Sequence, residues 1–380
     1  MDRSPRNTRS GQDNEALDVL VIGGGQAGLV MGFHLAQRGQ RFKVVDAGAD
    51  VGQTWRLRWD SLKLFTAAQY DNLPGMAFPA PHDSYPGKDD VADFLQTYAT
   101  KFELPVALNT KVTSLRQNEL YEIETDQGQL QAHNVVVATG PFQTPFIPPI
   151  AEDIGPDVSH IHSIDYRRPD NIPSGRVLVV GAANTGCQIA LELSATHQVE
   201  LAAGQRLPTI PQRPLGHDIW WWATRVGLTS ITVGSRLGRK LSTRDQVIGG
   251  GVRELKREGV VVRPRLVGVE GRSFSFADAT SSEYDAVLWA TGFRTDHSWI
   301  DVPQIKDRQG QIQHERGVTR APGLYVLGLT WQHTRTSALL GWVTNDAEYL
   351  AEHIVSRATS NGPVVGAGLP LQMIEGANDE

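Results

Sequence analysis

Short apolar runs that lead directly into glycine-rich turns stand out in the pattern of hydrophobic and polar positions. Residues 19–22 and residues 177–180 are both apolar and rich in β-branched side chains, as expected of parallel strands that are covered on both faces. A segment with the helical spacing of apolar residues follows each turn. The repeated strand–turn–helix pattern predicts an internal duplication of one supersecondary unit.

The first copy has the features of a dinucleotide-binding turn. Five residues form the G-x-G-x-x-G pattern and the predicted start of its helix: Gly23, Gly25, Gln26, Ala27 and Gly28. The glycines permit a tight bend, close approach of a pyrophosphate and close helix–strand packing. The next predicted strand, residues 42–45, ends on Asp46, whose carboxylate can accept ribose hydroxyls. The competing interpretation is a glycine-rich turn that binds no ligand.

The second copy is less regular. It keeps Gly181 and Gly186, but Ala183 replaces the middle glycine. A methyl group at that position should hold a pyrophosphate slightly farther from the backbone. Asn184 and Thr185 lie in this turn, ahead of a helix predicted over residues 188–194, and are further candidate contacts to the dinucleotide.

A basic residue follows the second unit where the first has its acid. No acidic side chain ends the strand predicted near residues 199–203, and Arg206 lies shortly after it. A cation at this point suits a 2′-phosphate, which favours NADPH over NADH as the donor. The alternatives are that Arg206 is a solvated loop cation and that NADH is used.

Two further strand ends share one three-residue sequence. Strands are predicted over residues 134–137 and 284–289. They lead into small, permissive turns, Ala138, Thr139 and Gly140 in the first and Ala290, Thr291 and Gly292 in the second. A third late strand, residues 323–328, precedes a helix predicted over residues 337–357.

Composition and charge narrow the functional classes. The chain has 380 residues and a formal net charge of −6, without a basic stripe, so nucleic acid is an unexpected partner. Its single cysteine, Cys187, excludes an internal disulfide and a C-x-x-C redox pair. No metal site is predicted, because His160 and His162 lack carboxylate or cysteine partners. Neither a secretory signal nor an apolar run of membrane-spanning length is present, so we expect a cytoplasmic protein without membrane insertion.

Five longer motifs carry a family resemblance that covers roughly residues 17–357. They are residues 52–55 (Gly-Gln-Thr-Trp), 59–64 (Trp-Asp-Ser-Leu-Lys-Leu), 162–167 (His-Ser-Ile-Asp-Tyr-Arg), 285–293 (Asp-Ala-Val-Leu-Trp-Ala-Thr-Gly-Phe) and 331–342. On these motifs the chain resembles the two-dinucleotide flavoprotein monooxygenases. These comprise the flavin-containing monooxygenases, the plant YUCCA enzymes and the bacterial CzcO-like proteins.

The resemblance implies FAD at the first turn and NADPH at the second. It adds six cofactor-binding candidates to those already named: Gly52, Gln53, Thr54, Trp55, Val112 and Gly328. It also implies a small-molecule substrate, O2 as co-substrate and a homodimer as the assembly to test.

The resemblance and the repeated pattern together predict the fold and its domains. We expect an α/β fold with two Rossmann-like, dinucleotide-binding domains, the NAD(P)H domain inserted into the FAD domain. The predicted boundaries are residues 17–158 and 291–357 for the FAD domain and residues 159–290 for the NAD(P)H domain. Residues 1–16 are predicted to be a disordered tail and residues 358–380 a flexible one.

Proline-rich stretches suggest where the chain passes between the two domains. Residues 145–156 and residues 169–173 are the two predicted crossings.

The chain departs from the family pattern at two points. The F-x-G that normally opens the 162–167 fingerprint is absent, since Pro156 and Val158 occupy those places, and Baeyer–Villiger chemistry is therefore not supported. Some relatives carry an asparagine over the flavin, where Thr66 stands here, with Asn72 six residues later. Thr66 and Asn72 are the candidate catalytic residues.

By resemblance, reduced flavin would react with O2 to give a C4a-(hydro)peroxide that oxygenates a small N-, S- or carbonyl-containing compound. One alternative is an NAD(P)H-dependent dehydrogenase or oxidase that inserts no oxygen. Another is a flavin-binding accessory protein of a transport system. Residues 220–222 (Trp-Trp-Trp) could line a substrate entrance, but an aromatic core or lid is the favoured interpretation.

Overall fold

The computed structural model describes residues 16–205, 208–243 and 246–361. The helices of this part of the chain are α1 (Gln26–Gln37), α2 (Gln53–Arg56), α3 (Lys88–Lys101), α4 (Asn184–Leu193), α5 (Ile219–Arg225), α6 (Arg236–Ser242), α7 (Val252–Arg257) and α8 (Val343–Asn361).

The strands are numbered in chain order in the same way. They are β1 (Leu17–Ile22), β2 (Phe42–Val45), β3 (Val106–Ala107), β4 (Val112–Gln117), β5 (Tyr121–Thr125), β6 (Gly128–Val137), β7 (Thr144–Pro145), β8 (Ser159–His162), β9 (Arg176–Val180), β10 (Gln198–Ala202), β11 (Thr209–Ile210), β12 (Val247–Ile248), β13 (Val261–Arg263), β14 (Leu266–Glu270), β15 (Ser273–Phe276), β16 (Ser281–Glu283), β17 (Ala286–Trp289), β18 (Phe293–Arg294), β19 (Ile300–Asp301), β20 (His314–Glu315), β21 (Val318–Thr319) and β22 (Leu324–Val326).

The first sheet combines the start of the chain with its end. Its order is β19-β4-β5-β6-β1-β2-β3, and β22 joins the carboxyl end of β6, with β21 and β20 beyond it. The pairs β6–β1, β1–β2, β2–β3 and β6–β22 are parallel, whereas β4, β5 and β6 form an antiparallel meander. The carboxyl ends of the parallel strands therefore meet at one edge.

Both faces of this sheet are covered. Along β1 the side chains alternate, so Val19 and Val21 pack in one apolar cluster while Leu20 and Ile22 pack in another. The first of these clusters also contains buried side chains of α1, α3 and α8. Burial on both faces explains why the strand is a continuous apolar run.

The second sheet is formed wholly by the middle of the chain. Its order is β13-β10-β9-β17-β8, and every pair in it is parallel. The glycine-rich turn between β9 and α4 follows the central strand. Two such sheets, the second formed from chain between strands of the first, give the α/β fold with two Rossmann-like units that the sequence predicts.

The two passages between the sheets run side by side. Residues 144–145 form β7, which pairs antiparallel with β18 at residues 293–294. The prediction that residues 169–173 also cross is wrong. Pro169–Asn171 is a turn of 3₁₀-helix that connects β8 and β9, and since both strands belong to the same sheet, the chain makes no crossing there.

The last helix starts later and ends later than predicted. It begins at Val343 rather than at Ser337, because the Ser337 hydroxyl accepts the backbone N–H groups of His333 and Thr334 and closes a turn. Residues 358–361, assigned to the flexible tail, complete this helix. Residues 1–15 and 362–380 lie outside the described residues, so the rest of both tail predictions is untested.

Candidate functional site

The first glycine-rich turn leaves an opening at one of its three glycines. A Cβ on Gly23, which has φ +110°, would lie 2.5 Å from the Ala138 carbonyl oxygen, and a Cβ on Gly28 would overlap the Gly23 carbonyl. A Cβ on Gly25 would meet no atom within 4 Å. Gly23 and Gly28 are therefore required by backbone packing, whereas Gly25 borders free space at the N-terminus of α1, where an anionic group binds favourably.

The predicted acid of the first unit lies directly against this turn. The Asp46 carboxylate accepts the backbone N–H of Gly24 through one oxygen and that of Gly48 through the other, the latter at 2.7 Å. Each carboxylate oxygen can accept a second hydrogen bond. Asp46 can therefore hold the turn and still accept a ribose hydroxyl.

A second group of predicted residues closes the other side of the turn. Trp55 Nε1 donates to Gln26 Oε1 at 3.2 Å, and Gln26 Nε2 donates to the Ala338 carbonyl at 3.1 Å. Gly328 has φ +83°, and a Cβ there would lie 2.8 Å from Ala27 Cβ. The start of α1, the 52–55 motif and residues 328–342, here called the carboxyl-terminal loop, are thus brought together.

The remaining first-site candidates lie on neighbouring loops. Gly52 is left-handed (φ +82°) and packs on Ala92 of α3, while Gln53 Oε1 accepts the N–H of Ala49. Thr54 is exposed beside them. These contacts show how Gly52 and Gln53 stabilise the start of α2, and the contact of residues 52–54 with a cofactor stays a prediction.

Three candidates flank the turn from strands β4 and β6. Thr139 Oγ1 accepts Gln143 Nε2 at 2.9 Å, and Gly140 is left-handed at φ +69°. Val112 begins β4, two residues after Thr110, whose N–H donates to the Asp46 carbonyl.

The second turn repeats the backbone of the first. Gly181 has φ +114°, and a Cβ there would overlap the Ala290 carbonyl. A Cβ on Gly186 would overlap the Gly181 carbonyl. Ala183 has φ −80° and ψ −176°, nearly the −73° and −173° of Gly25. Its methyl group therefore occupies the position that is open in the first turn.

The other second-site candidates are divided between this turn and its surroundings. Asn184 Oδ1 accepts the N–H of Ile248 at 2.9 Å, and Thr185 follows it in the first turn of α4. Thr291 donates through its hydroxyl to the Phe146 carbonyl, and Gly292 O accepts His162 Nε2 at 3.0 Å. Arg206 lies outside the described residues, so its predicted role at a 2′-phosphate is untested.

The two catalytic candidates have different surroundings. Thr66 is buried, and its hydroxyl donates to Asp71 Oδ1 at 2.7 Å. Asn72 is exposed, with Oδ1 accepting the N–H of Phe78 and Nδ2 donating to the Gln69 carbonyl. These bonds give Asn72 a part in holding the loop at residues 69–78, and a catalytic role for either residue stays a prediction.

Asp71 was not identified from the sequence. It is fully buried, and its Oδ2 has no hydrogen-bond partner among the described residues. Burial raises the pKa of its carboxyl to about 7, the Thr66 hydrogen bond opposes the rise, and the charge of Asp218 adds to it. Nothing in the local sequence marks this residue, because an aspartate in a polar stretch is normally exposed.

An aromatic cluster joins the two halves of the protein next to Asp71. Tyr70 stacks on Trp342 with ring centroids 5.6 Å apart, and Trp220 lies 5.4 Å from Trp342 and 6.2 Å from Phe65. Trp220 Nε1 also donates to the Phe65 carbonyl at 3.0 Å. Trp220 is therefore part of a packed aromatic cluster, whereas Trp221 and Trp222 are half-exposed and lie against each other.

Known proteins resemble this chain over most of its length. Residues 20–209 match the family described as pyridine nucleotide-disulphide oxidoreductase. An uncharacterised CzcO-like oxidoreductase of Geobacillus kaustophilus is 45% identical, over 90% of this chain and 99% of that protein. A probable indole-3-pyruvate monooxygenase, YUCCA9 of Arabidopsis thaliana, is 24% identical over 82% of this chain and 84% of its own.

A solved structure extends these similarities to the fold. The flavin-containing monooxygenase of Stenotrophomonas maltophilia superimposes with a TM-score of 0.77 at 28% identity, over 90% of this chain and 99% of its own. Among the described helices, none is long and apolar enough to cross a bilayer.

Proposed function

The chain belongs to the pyridine nucleotide-disulphide oxidoreductase family and is an oxidoreductase. We propose that it is an FAD-dependent monooxygenase that consumes NADPH and O2. Its substrate would be a small N-, S- or carbonyl-containing compound, into which it inserts one oxygen atom. The observation that carries the proposal is the pair of dinucleotide turns, one of which has free space at Gly25 in front of a helix N-terminus.

The first turn fits FAD by its chemistry. The N–H groups at the start of α1 and the free space at Gly25 suit a pyrophosphate, and Asp46 suits a ribose. Trp55, Gln26 and the Ala338 carbonyl would enclose the rest of the cofactor. The second turn would hold NADPH, with Arg206 as the residue that distinguishes it from NADH.

FAD held at the first turn would supply the hydride-accepting and oxygen-reducing chemistry that the side chains lack. The task left to the protein is to position both cofactors and to exclude water. The cluster of Phe65, Tyr70, Trp220 and Trp342 would serve the second task, because its packed rings include the immediate neighbours of Thr66 and Asp71. The four side chains come from both halves of the chain, so the barrier depends on their mutual packing.

Disulfide reduction, which the family description includes, is not the reaction proposed. The chain has one cysteine, and a dithiol relay requires two. Cys187 is buried in α4, burial raises the pKa of its thiol to about 11, and its Sγ donates to the Ala182 carbonyl. A thiol in that state is a poor nucleophile.

The alternative is an NADPH oxidase or dehydrogenase, and one contact favours it. A hydroxyl has a single hydrogen, and Thr66 gives that hydrogen to Asp71. While Asp71 is ionised, Thr66 can then act toward a flavin only as an acceptor. An oxygen-activating site with no free donor at this position would release H2O2 more readily.

The deciding experiment is rapid mixing of anaerobically NADPH-reduced protein with O2 while the flavin spectrum is followed. A transient near-UV absorbance before oxidised flavin returns, with H2O2 release suppressed by substrate, supports the monooxygenase. Direct return to oxidised flavin with one H2O2 per NADPH, unchanged across N-, S- and carbonyl-containing compounds, supports the alternative. Failure of both NADPH and NADH to reduce the bound flavin would overturn the assignment of the second turn.

A further inference from the structure

One segment of the chain differs from the rest in charge. Residues 208–243, here called the basic segment, contain five exposed cationic side chains: Arg213, Arg225, Arg236, Arg239 and Lys240. Asp218 is the only acidic residue of the segment, and it is buried. The whole chain carries −6, so the basic segment is a positive region on an otherwise acidic protein.

The basic segment also holds apolar side chains in solvent. Four of the nine large hydrophobic side chains exposed in the described residues lie within it: Leu215 (87% exposed), Val226 (64%), Leu237 (50%) and Leu228 (46%). Leu215 has a left-handed backbone with φ +53°. That conformation is unfavourable for leucine.

Helix α6 presents both kinds of side chain on its outer side. A Cβ on Gly238 would overlap the Thr232 carbonyl, so the buried side of the helix is the one at Gly238. Leu237 is exposed, and so are the three basic residues of this helix, Arg236, Arg239 and Lys240. Within the described residues none of these three cations forms an ion pair, whereas Arg56, Arg116 and Arg257 on other surfaces do.

We propose that the basic segment binds the surface of an anionic phospholipid membrane. Exposed leucine and valine side chains among arginine and lysine are suited to the boundary between headgroups and acyl chains. Anionic headgroups also supply the negative charge that the segment itself lacks. The interaction is peripheral and needs no membrane-spanning helix.

A second copy of this acidic chain is the competing occupant, but the shape of the segment favours lipid. The apolar side chains come from two separate turns of 3₁₀-helix and from the ends of α5 and α6, and Leu215 stands almost free of the protein. A protein interface needs a packed apolar centre, whereas a bilayer accepts separate side chains at different depths.

Membrane binding through this segment would bring the candidate site close to the lipid. The N–H of Val233 donates to the His333 carbonyl at 2.7 Å, and Thr232 forms an antiparallel bridge with Thr334. These contacts tie the segment to the carboxyl-terminal loop that also contacts Gln26. The membrane proposal nevertheless stands independently of which reaction the protein catalyses.

Vesicle co-sedimentation of the full chain tests the proposal. We expect binding to vesicles of mixed phosphatidylglycerol and phosphatidylcholine at about 0.05 M salt, strong weakening at about 0.5 M salt, and little binding to pure phosphatidylcholine. The triple substitution R236Q/R239Q/K240Q should weaken partitioning about 100-fold, since each basic side chain near an anionic surface contributes about fivefold. Leu237→Ser should weaken it about tenfold.

Matched substitutions on nearby elements are the controls. R253Q/K256Q/R257Q removes three exposed cations from α7, and Val267→Ser removes a comparably exposed aliphatic side chain from β14. Both should leave partitioning within about twofold of the unchanged protein. Absence of binding to anionic vesicles, or equal losses in the α6 and α7 triples, would overturn the proposal. Light scattering tests the competing occupant. If the unchanged protein is a dimer, only the α6 variants are monomers, and none of these proteins binds vesicles, the surface is assigned to a second copy of the chain instead.

Discussion

Replacing Asp71 with asparagine should make the protein less sensitive to alkaline pH. The Asp71 carboxyl is fully buried, accepts one hydrogen bond from Thr66 and has an unpartnered second oxygen. Its pKa rises from 3.8 to about 7 on folding, chiefly because burial penalises the charged form. Asparagine has the same shape, can still accept the Thr66 hydroxyl at Oδ1, and cannot ionise.

The sign of the effect follows from proton uptake. Between pH 3.8 and about 7 the unfolded chain has released the Asp71 proton while the folded protein retains it, so the free energy of unfolding falls as pH rises. The stabilising contribution is complete below pH 3.8 and is lost once the pH exceeds about 7. At about 1.4 kcal/mol per pKa unit, the loss between pH 5 and pH 8 is about 3 kcal/mol.

The assay is urea unfolding of the wild type and Asp71→Asn at pH 5 and pH 8. The quantity to compare is the change in unfolding free energy between the two pH values, because any constant cost of the substitution cancels. The wild type should lose about 3 kcal/mol more than the variant. Asp157→Asn, at an exposed position, should lose as much as the wild type. Equal losses in the wild type and Asp71→Asn would refute the reasoning, since Asp71 would then be ionised throughout.

Further substitutions test the two turns and the second sheet. Gly25→Ala should weaken FAD binding at least about tenfold, by flavin titration, and leave the thermal midpoint of the apoprotein nearly unchanged, because a methyl group there meets no protein atom. A large drop in that midpoint would show that the opening is structural. Ala183→Gly should tighten NADPH binding several-fold by isothermal titration, and unchanged affinity would contradict the close approach of a pyrophosphate. Arg206→Ala should raise KM for NADPH selectively; equal effects on NADH would remove its role at the 2′-phosphate. Glu200→Gln should lower the unfolding free energy at pH 7 by about 3 kcal/mol, because the buried carboxylate accepts hydrogen bonds from two arginines and a tyrosine. The exposed Glu283→Gln is its control, and similar losses in both would contradict the burial argument.

The sequence by itself determined the two strand–turn–helix units. Their signals are local, since an apolar run predicts a strand covered on both faces and the glycines after it satisfy steric needs within a few residues. Gly23 and Gly28 are examples, because a Cβ on Gly28 would overlap the Gly23 carbonyl five residues earlier. The duplication and the insertion of one unit into the other followed from the order of these signals along the chain.

The tertiary structure alone decided what surrounds the candidate site. Helix α8 starts at Val343 instead of at the predicted Ser337. Ser337 closes a turn, and the Ala338 carbonyl accepts a hydrogen bond from Gln26, a residue near the other end of the chain. No local pattern contains such a contact.

Asp71 and Trp220 illustrate the same limit. Asp71 has its shifted pKa because residues distant in sequence bury it, and Trp220 joins the aromatic cluster because folding brings it against Phe65 and Trp342. A glycine turn is determined by the sterics of adjacent residues, which a sequence records directly. Burial depends on every segment that packs around a side chain, and therefore appears only in the folded protein.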